Sequence, residues 1–228
     1  MSTPRFSVTC TRKELIAENI YEVAFAKPEG FSFTAGQFVL FDVPLLDNPE
    51  DIQPRAYSIG SAPKDDELVF AIKSVPNGRM TLFLENKMQK GTQLSLQGAL
   101  GNFLLDRTTP KDYVFLCTAT GIAPFRSYLR SYLAEETDRK IDLFFGLLRE
   151  NELFWEDELK EFQKQYQHFN YYICINRFVQ DEAMSAISDF SNKQIYLCGS
   201  PLMTKAVKEI AISQWHVPKA DVHMEGFI

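Results

Sequence analysis

Arg55-Ala56-Tyr57-Ser58, Thr120-Gly121-Ile122-Ala123-Pro124 and Tyr196-Leu197-Cys198-Gly199-Ser200-Pro201 decide the reading of this chain, and they do so as an ordered set. The first places a cation, a flat aromatic ring and a hydroxyl at the end of an extended run. That combination suits a site that grips a phosphate while stacking on a planar heterocycle. The other two each follow an apolar run and stand where a strand of an open α/β sheet would deliver a ligand. A fourth segment, Gly78-Arg79-Met80-Thr81-Leu82-Phe83-Leu84, falls between the first two. It reads as a glycine turn opening a short helix, a place where a phosphate can sit or a plain turn can form.

Outward from these segments the pattern changes once along the chain. Short apolar or alternating runs at 6–11, 20–26, 37–43, 56–61, 68–75 and 92–97 are cut by Pro, Gly, Asn and Asp, which predicts a six-stranded antiparallel β-barrel with one helix at 80–88. The polar, proline-containing stretch 106–112 then interrupts two apolar segments and marks a seam. Beyond it, strand runs at 113–118, 141–147, 170–175, 194–198 and 221–224 alternate with helix-length segments at 124–136, 152–167, 182–190 and 202–215. Alternation of this kind predicts an α/β domain with a parallel sheet and helices on both faces. The expected organisation is two domains, 1–107 and 108–228.

Composition bounds the function. The 228 residues leave room for two domains, since a domain usually takes about 100–200 residues. With 45% hydrophobic and 24% charged residues the chain is a folded globular protein, and its net charge of −6 argues against non-specific nucleic-acid binding. The N-terminus lacks the apolar stretch of a signal peptide, and no run approaches the ~18 apolar residues of a membrane helix. A cytoplasmic protein with no membrane insertion is expected. Cys10, Cys117, Cys174 and Cys198 form no C-x-x-C pair, and His168, His216 and His223 are scattered, so no metal site is expected. The spacing also excludes a plant-type iron–sulfur cluster.

The order and spacing of the four motifs resemble the ferredoxin-NADP reductase superfamily over nearly the whole chain. The resemblance implies a flavoprotein oxidoreductase in which the barrel binds FAD, in preference to FMN, and the α/β domain binds NADPH or NADH. It assigns Arg55 to flavin phosphate, Tyr57 to the isoalloxazine face and Ser58 to a hydrogen bond near N5. Gly78, Met80 and Thr81 take the flavin pyrophosphate; Thr120, Gly121 and Pro124 take the nucleotide phosphates. Cys198 lies against the nicotinamide as an orienter with no covalent role, while Gly199 and Pro201 make room for the ring. Glu225 and Phe227 match an acidic-x-aromatic ending, with Glu225 beside the chemistry and Phe227 as a gate over the flavin. Relatives usually have a glycine-rich approach to Thr-Gly-Ile, which Cys117-Thr118-Ala119 replaces here.

Arg149 and Arg177 occupy places where NADP-preferring members hold the 2′-phosphate, which leans slightly towards NADPH. The segment 178–188 contains no further cation, and Gly146–Arg149 followed by Leu153-Phe154-Trp155 resembles members that feed oxygenases, several of which take NADH. The implied electron partner is a separate protein: ferredoxin, flavodoxin or an oxygenase component. The alternative is an NAD(P)H:flavin reductase using flavin as a diffusible substrate. An electron-transfer subunit working only in a complex, or a non-catalytic module, are further readings of the same residues.

Overall fold

A computed structural model describes residues 3–135 and 138–226. The chain divides into two compact units, one running to Leu104 and including Arg126–Ser131, the other comprising Leu105–Phe125 and the residues from Tyr132 onward.

The first unit is built on β1 (Arg5–Ala17), β2 (Ile20–Ala26), β3 (Phe38–Pro44), β4 (Ile52–Ser58), β5 (Glu67–Lys73) and β6 (Gln93–Leu100), with α1 (Arg79–Asn86) between the last two. All six strands pair antiparallel in the order β4-β3-β6-β1-β2-β5. β1 is long enough to serve two partners. Its first half pairs with β6, and an irregularity between Cys10 and Arg12 turns it onto β2, the bend by which a sheet curls on itself. The two end strands come together where Gly60 N–H donates to Val69 O at 2.7 Å and Val69 N–H to Ser61 Oγ at 3.1 Å. Inside the barrel, Phe41 packs on Phe25 and Phe70 with ring centroids 5.1 and 5.0 Å apart. Val8, Leu96 and Leu84 of α1 complete this core.

The strand carrying the first motif lies earlier than its apolar pattern suggests. The expected 56–61 misses Ile52–Arg55, which pair with β3 in register from Pro44↔Ile52 to Phe38↔Ser58. Those residues are polar or exposed and include Pro54, so they carry no hydrophobic signal. A strand at the end of a sheet tolerates both features, because only one of its edges must be laddered.

The second unit is a five-stranded parallel sheet of β7 (Asp112–Thr118), β8 (Ile141–Leu147), β9 (Phe169–Ile175), β10 (Lys193–Gly199) and β11 (Val222–Gly226), in the order β11-β10-β7-β8-β9. The chain after β7 forms α2 (Ala123–Tyr132), whose Arg126–Ser131 belong to the first unit; the helices wholly of the second are α3 (Glu156–Gln165), α4 (Val179–Ala186) and α5 (Pro201–Ser213). Side chains alternate across the strands. Val114, Leu116, Phe144, Ile195 and Leu197 meet Val179 and Ala183 of α4 and Val207 and Ala211 of α5 on one face. Phe115 stacks on Phe125 at 4.7 Å, and Phe145 meets Phe154 at 5.6 Å. Every residue of β8 is buried, as a central parallel strand covered on both faces requires.

Two helices differ from their expected spans. The third is shorter than 152–167 because residues 150–152 form a separate 3-10 turn and Trp155, with φ of +58°, breaks the path before Glu156. The fourth begins three residues before 182, since Val179 and Ala183, four apart, supply the buried stripe.

The segment after Leu104 is fastened to the second unit by a polar network centred on Asp106. Its carboxylate accepts from Gln194 Nε2 at 3.0 Å, its N–H donates to Tyr196 Oη at 2.7 Å, and its carbonyl accepts from Tyr113 Oη at 3.0 Å. Hydrogen bonds from the Thr108 N–H and hydroxyl hold the Asp106 carboxyl below the usual carboxylate range.

Candidate functional site

In the barrel unit, β4 delivers the first motif. The Tyr57 ring packs 6.0 Å from Phe41, and burial pushes its phenol up to about 12, so it acts as a neutral aromatic surface. Ser58, next along, is 6% exposed, and its Oγ is buried without a hydrogen-bond partner. A buried hydroxyl in that state is one that a further group would satisfy. Arg55 donates to Pro54 O at 2.8 Å and Gln53 Oε1 at 2.9 Å. Among the described residues no carboxylate pairs with it, so its positive charge is not offset locally.

The second barrel element is the start of α1. Gly78 is its extended N-cap; no side chain caps the helix and its first turn holds no acid, so its leading amides suit an anion. A Cβ on Gly78 would fall 2.6 Å from Val75 Cγ2, so a larger residue there would make the exposed Val75 side chain shift. Thr81 Oγ1 accepts the Val75 N–H at 2.9 Å, which leaves its hydroxyl hydrogen for another acceptor. Met80 is a core side chain, 4% exposed, and can offer only its backbone to a ligand.

Sequence reasoning gave no role to Arg79. Its guanidinium bonds Asp51 Oδ2 at 3.0 Å and Asp51 O at 2.6 Å, fastening the 45–51 loop to the helix start. Nothing in the sequence pairs those residues, which lie 28 positions apart. A cation, a stacking ring, a helix start with no side-chain cap and an unsatisfied hydroxyl are the donor set that a flavin dinucleotide needs, and these residues fit FAD.

In the α/β unit the site follows from topology. The chain runs β7 to β8 to β9 on one side and then returns to β10 on the other side of β7. Ligands bind outside the carboxyl ends of the strands at such a reversal. Both remaining motifs lie there. Residues 119–122 form a 3-10 turn leading into α2, with Pro124 in the helix's first turn, and Thr120 is half-buried in that turn. A Cβ on Gly121 would strike the carbonyl of Cys198, and one on Gly199, whose φ is +132°, would strike the Thr118 hydroxyl.

The two loops are thus one interlocked structure. Thr118 Oγ1 also accepts the Ser200 N–H at 3.1 Å, a tie that sequence reasoning missed because the two residues lie 82 positions apart. Pro201 sits at the uncapped start of α5, whose first turn is free of acids. Ala119 adopts φ of +48°, a left-handed conformation better suited to glycine.

Cys198 is fully buried and stands in register with Cys117 on one side and Glu225 on the other. Burial raises its thiol well above the ordinary range, so it remains a neutral SH. Burial acts on Glu225 in the same direction: its carboxyl is pushed up to about 7, and Oε2 is buried with no partner.

Farther along the same edge, Arg149 follows β8 and is exposed, while Arg177 follows β9 and forms an ion pair with Glu182 at 2.9 Å. Phe227 lies outside the described residues. His223 stacks on Tyr196 at 4.4 Å, and no group of His, Cys, Asp and Glu among the described residues could hold a metal. No helix among those residues is long and apolar enough to cross a membrane.

Two family models match the chain. Residues 7–104 match the family model of an oxidoreductase FAD-binding domain, and residues 115–209 that of an oxidoreductase NAD-binding domain. The chain is 30% identical over 209 residues to the toluate 1,2-dioxygenase electron transfer component of Pseudomonas putida, covering 86% of this chain and 59% of that one. It is 28% identical to ferredoxin–NADP reductase B of Sorangium cellulosum over 91% of each. This chain therefore spans little more than half of the first relative and nearly all of the second.

Among solved structures, an Amycolatopsis cytochrome P450 reductase superposes with a TM-score of 0.87 at 23% identity, covering 100% of this chain and 71% of that one. The Plasmodium falciparum ferredoxin-NADP+ reductase gives 0.84 at 22% identity, covering 98% and 96%. The FAD-binding domain followed by the NAD-binding domain, each in the fold these structures share, makes the chain a member of the ferredoxin-NADP reductase superfamily.

Proposed function

We propose that this protein is a flavin-dependent oxidoreductase that takes electrons from NADH or NADPH and passes them to a separate one-electron protein acceptor, such as ferredoxin, flavodoxin or an oxygenase component. Residues 1–107 form the flavin half and 108–228 the nucleotide half. The observation that carries this reading is Ser58: in a strand ending Arg-x-Tyr-Ser, its hydroxyl is buried with no partner, in the place where a flavin would supply one. FAD, when bound, accepts a hydride at N5 and can release the two electrons one at a time.

The chain's own residues hold and align. Arg55 places its charge on flavin phosphate, and Thr81 with the leading amides of α1 receives the pyrophosphate. Tyr57 offers a neutral ring for stacking, and the Ser58 hydroxyl fixes the flavin edge at N5. On the nucleotide side, the Thr120–Pro124 turn and the start of α5 take the phosphates. Cys198, held as a neutral thiol, presents a small surface against the nicotinamide and forms no bond to it. Glu225 holds a proton at Oε2 below about pH 7 and can donate it in a hydrogen bond. Alignment of this sort lowers the barrier without adding chemistry of the protein's own.

An anaerobic titration with NADH and with NADPH, followed by the visible spectrum, tests the reading. The expected result is a yellow protein bleached by one coenzyme at near-stoichiometric concentration. A colourless protein that oxidises either coenzyme only with added free flavin would replace this reading with that of a flavin reductase.

A further inference from the structure

Resting on the nucleotide-site reading above, we infer that the adenosine end of that site is set for NADH, and that Glu182 sets it by neutralising Arg177. All five strands of the sheet end on one edge. The turns after β7 and β10 are the phosphate-binding places, so the ribose of the adenosine lies towards the ends of β8 and β9. A 2′-phosphate there needs a guanidinium whose fork is available to it.

Arg177 offers one only with a carboxylate already beside it. Its Nη1 lies 2.9 Å from Glu182 Oε2, and the Glu182 side chain, 23% exposed, is much less accessible than that of Arg177, at 63%. The pair is held from both ends. Asn176, in a left-handed conformation with φ of +50°, donates its N–H to Leu147 O at 2.9 Å and so ties the start of the turn to β8. Glu182 lies in the first turn of α4, where the helix start favours a carboxylate. Asp181 adds a second acid in that turn, and no cation follows until Lys193. A 2′-phosphate dianion approaching Arg177 must therefore share its charge with a carboxylate already beside it. The ribose of NADH brings a 2′-hydroxyl instead, which can donate to that carboxylate.

The test uses the flavin-loaded full chain with ferricyanide as acceptor, comparing kcat/KM for NADH and NADPH. In parallel, calorimetry measures binding of AMP and of its 2′-phosphorylated form, 2′-phospho-AMP. The parent should favour NADH and bind 2′-phospho-AMP no tighter than AMP. Glu182→Gln should shift the NADPH/NADH ratio towards NADPH by about fivefold, the scale of an exposed ion pair, with 2′-phospho-AMP gaining in step. Glu182→Asp, which keeps the charge, should stay nearer the parental ratio, and adding Arg177→Gln to Glu182→Gln should abolish the gain. A parent that prefers NADPH, or an unshifted ratio in Glu182→Gln, overturns the inference while leaving the reductase reading intact. Oxidation of neither coenzyme, with no binding of either adenylate, removes the reductase reading and the inference together.

Discussion

Replacing Glu225 with Gln should stabilise the protein above neutral pH and leave it unchanged in acid. Burial raises the carboxyl from its ordinary 4.5 to about 7 in the folded state. At about 1.4 kcal/mol for each tenfold change in proton affinity, that difference is worth roughly 3 kcal/mol, which partial contact with solvent reduces to about 2 kcal/mol. The sign follows from the raised value. Below pH 4.5 the group is protonated in both states and the parent loses nothing. As the pH climbs towards 7 the unfolded chain ionises while the folded one holds its proton, and stability falls until the folded carboxyl also ionises.

The amide of the variant has no proton to lose, so the difference between Glu225→Gln and parent should open between pH 4.5 and 7 and level off near about 2 kcal/mol at roughly pH 8. Urea denaturation of both proteins at about pH 4.5, 6, 7 and 8, each fitted for its own midpoint and slope, measures it. A difference that is the same at every pH would refute the argument, since it would show that Glu225 does not titrate differently in the two states.

Three further outcomes follow from the site. Arg55→Ala should weaken FAD retention by roughly 1.5–3 kcal/mol through loss of a charge-assisted hydrogen bond, read by fluorescence of released flavin; unaltered affinity would remove Arg55 from the phosphate site. Ala119→Gly should gain about 0.5–1 kcal/mol in chemical denaturation, because relief of the left-handed strain outweighs glycine's added chain entropy, and a loss would show that the strain is absorbed elsewhere. Since Cys10, Cys117, Cys174 and Cys198 are all buried, a chromogenic disulfide reagent should find almost no reactive thiol in the native protein and all four after denaturation. Prompt reaction of one thiol in the folded state would contradict the neutral, enclosed Cys198.

The sequence conveyed the parallel sheet well, because strands such as β7 and β8, buried on both faces, show as the apolar runs Tyr113–Cys117 and Leu143–Leu147. It conveyed β4 badly for the opposite reason: Ile52–Arg55 owe their place to backbone pairing with β3, and pairing leaves no trace in hydrophobicity. The site divides in the same way. Arg55, Tyr57, Ser58 and the two glycine turns were legible because their residue types sit next to one another. What joins distant positions was not: Arg79 to Asp51, Thr118 to Ser200, and Gly121 against the Cys198 carbonyl. The Arg177–Glu182 pair spans only five residues, but it needs Val179 to open α4, three positions before the apolar pattern placed the helix.

The proline in β4 has a consequence for the protein's behaviour in company. An end strand normally displays a repeating row of donors and acceptors that an extended segment of another molecule can zip onto. Pro54 removes one donor from the middle of that row, and beyond Ile52 at its start the exposed neighbours Gln53 and Ala56 give a stray chain little apolar grip. The strand that carries the Arg-x-Tyr-Ser motif is therefore a poor template for edge-to-edge aggregation, even in a newly made polypeptide that has yet to acquire its ligand.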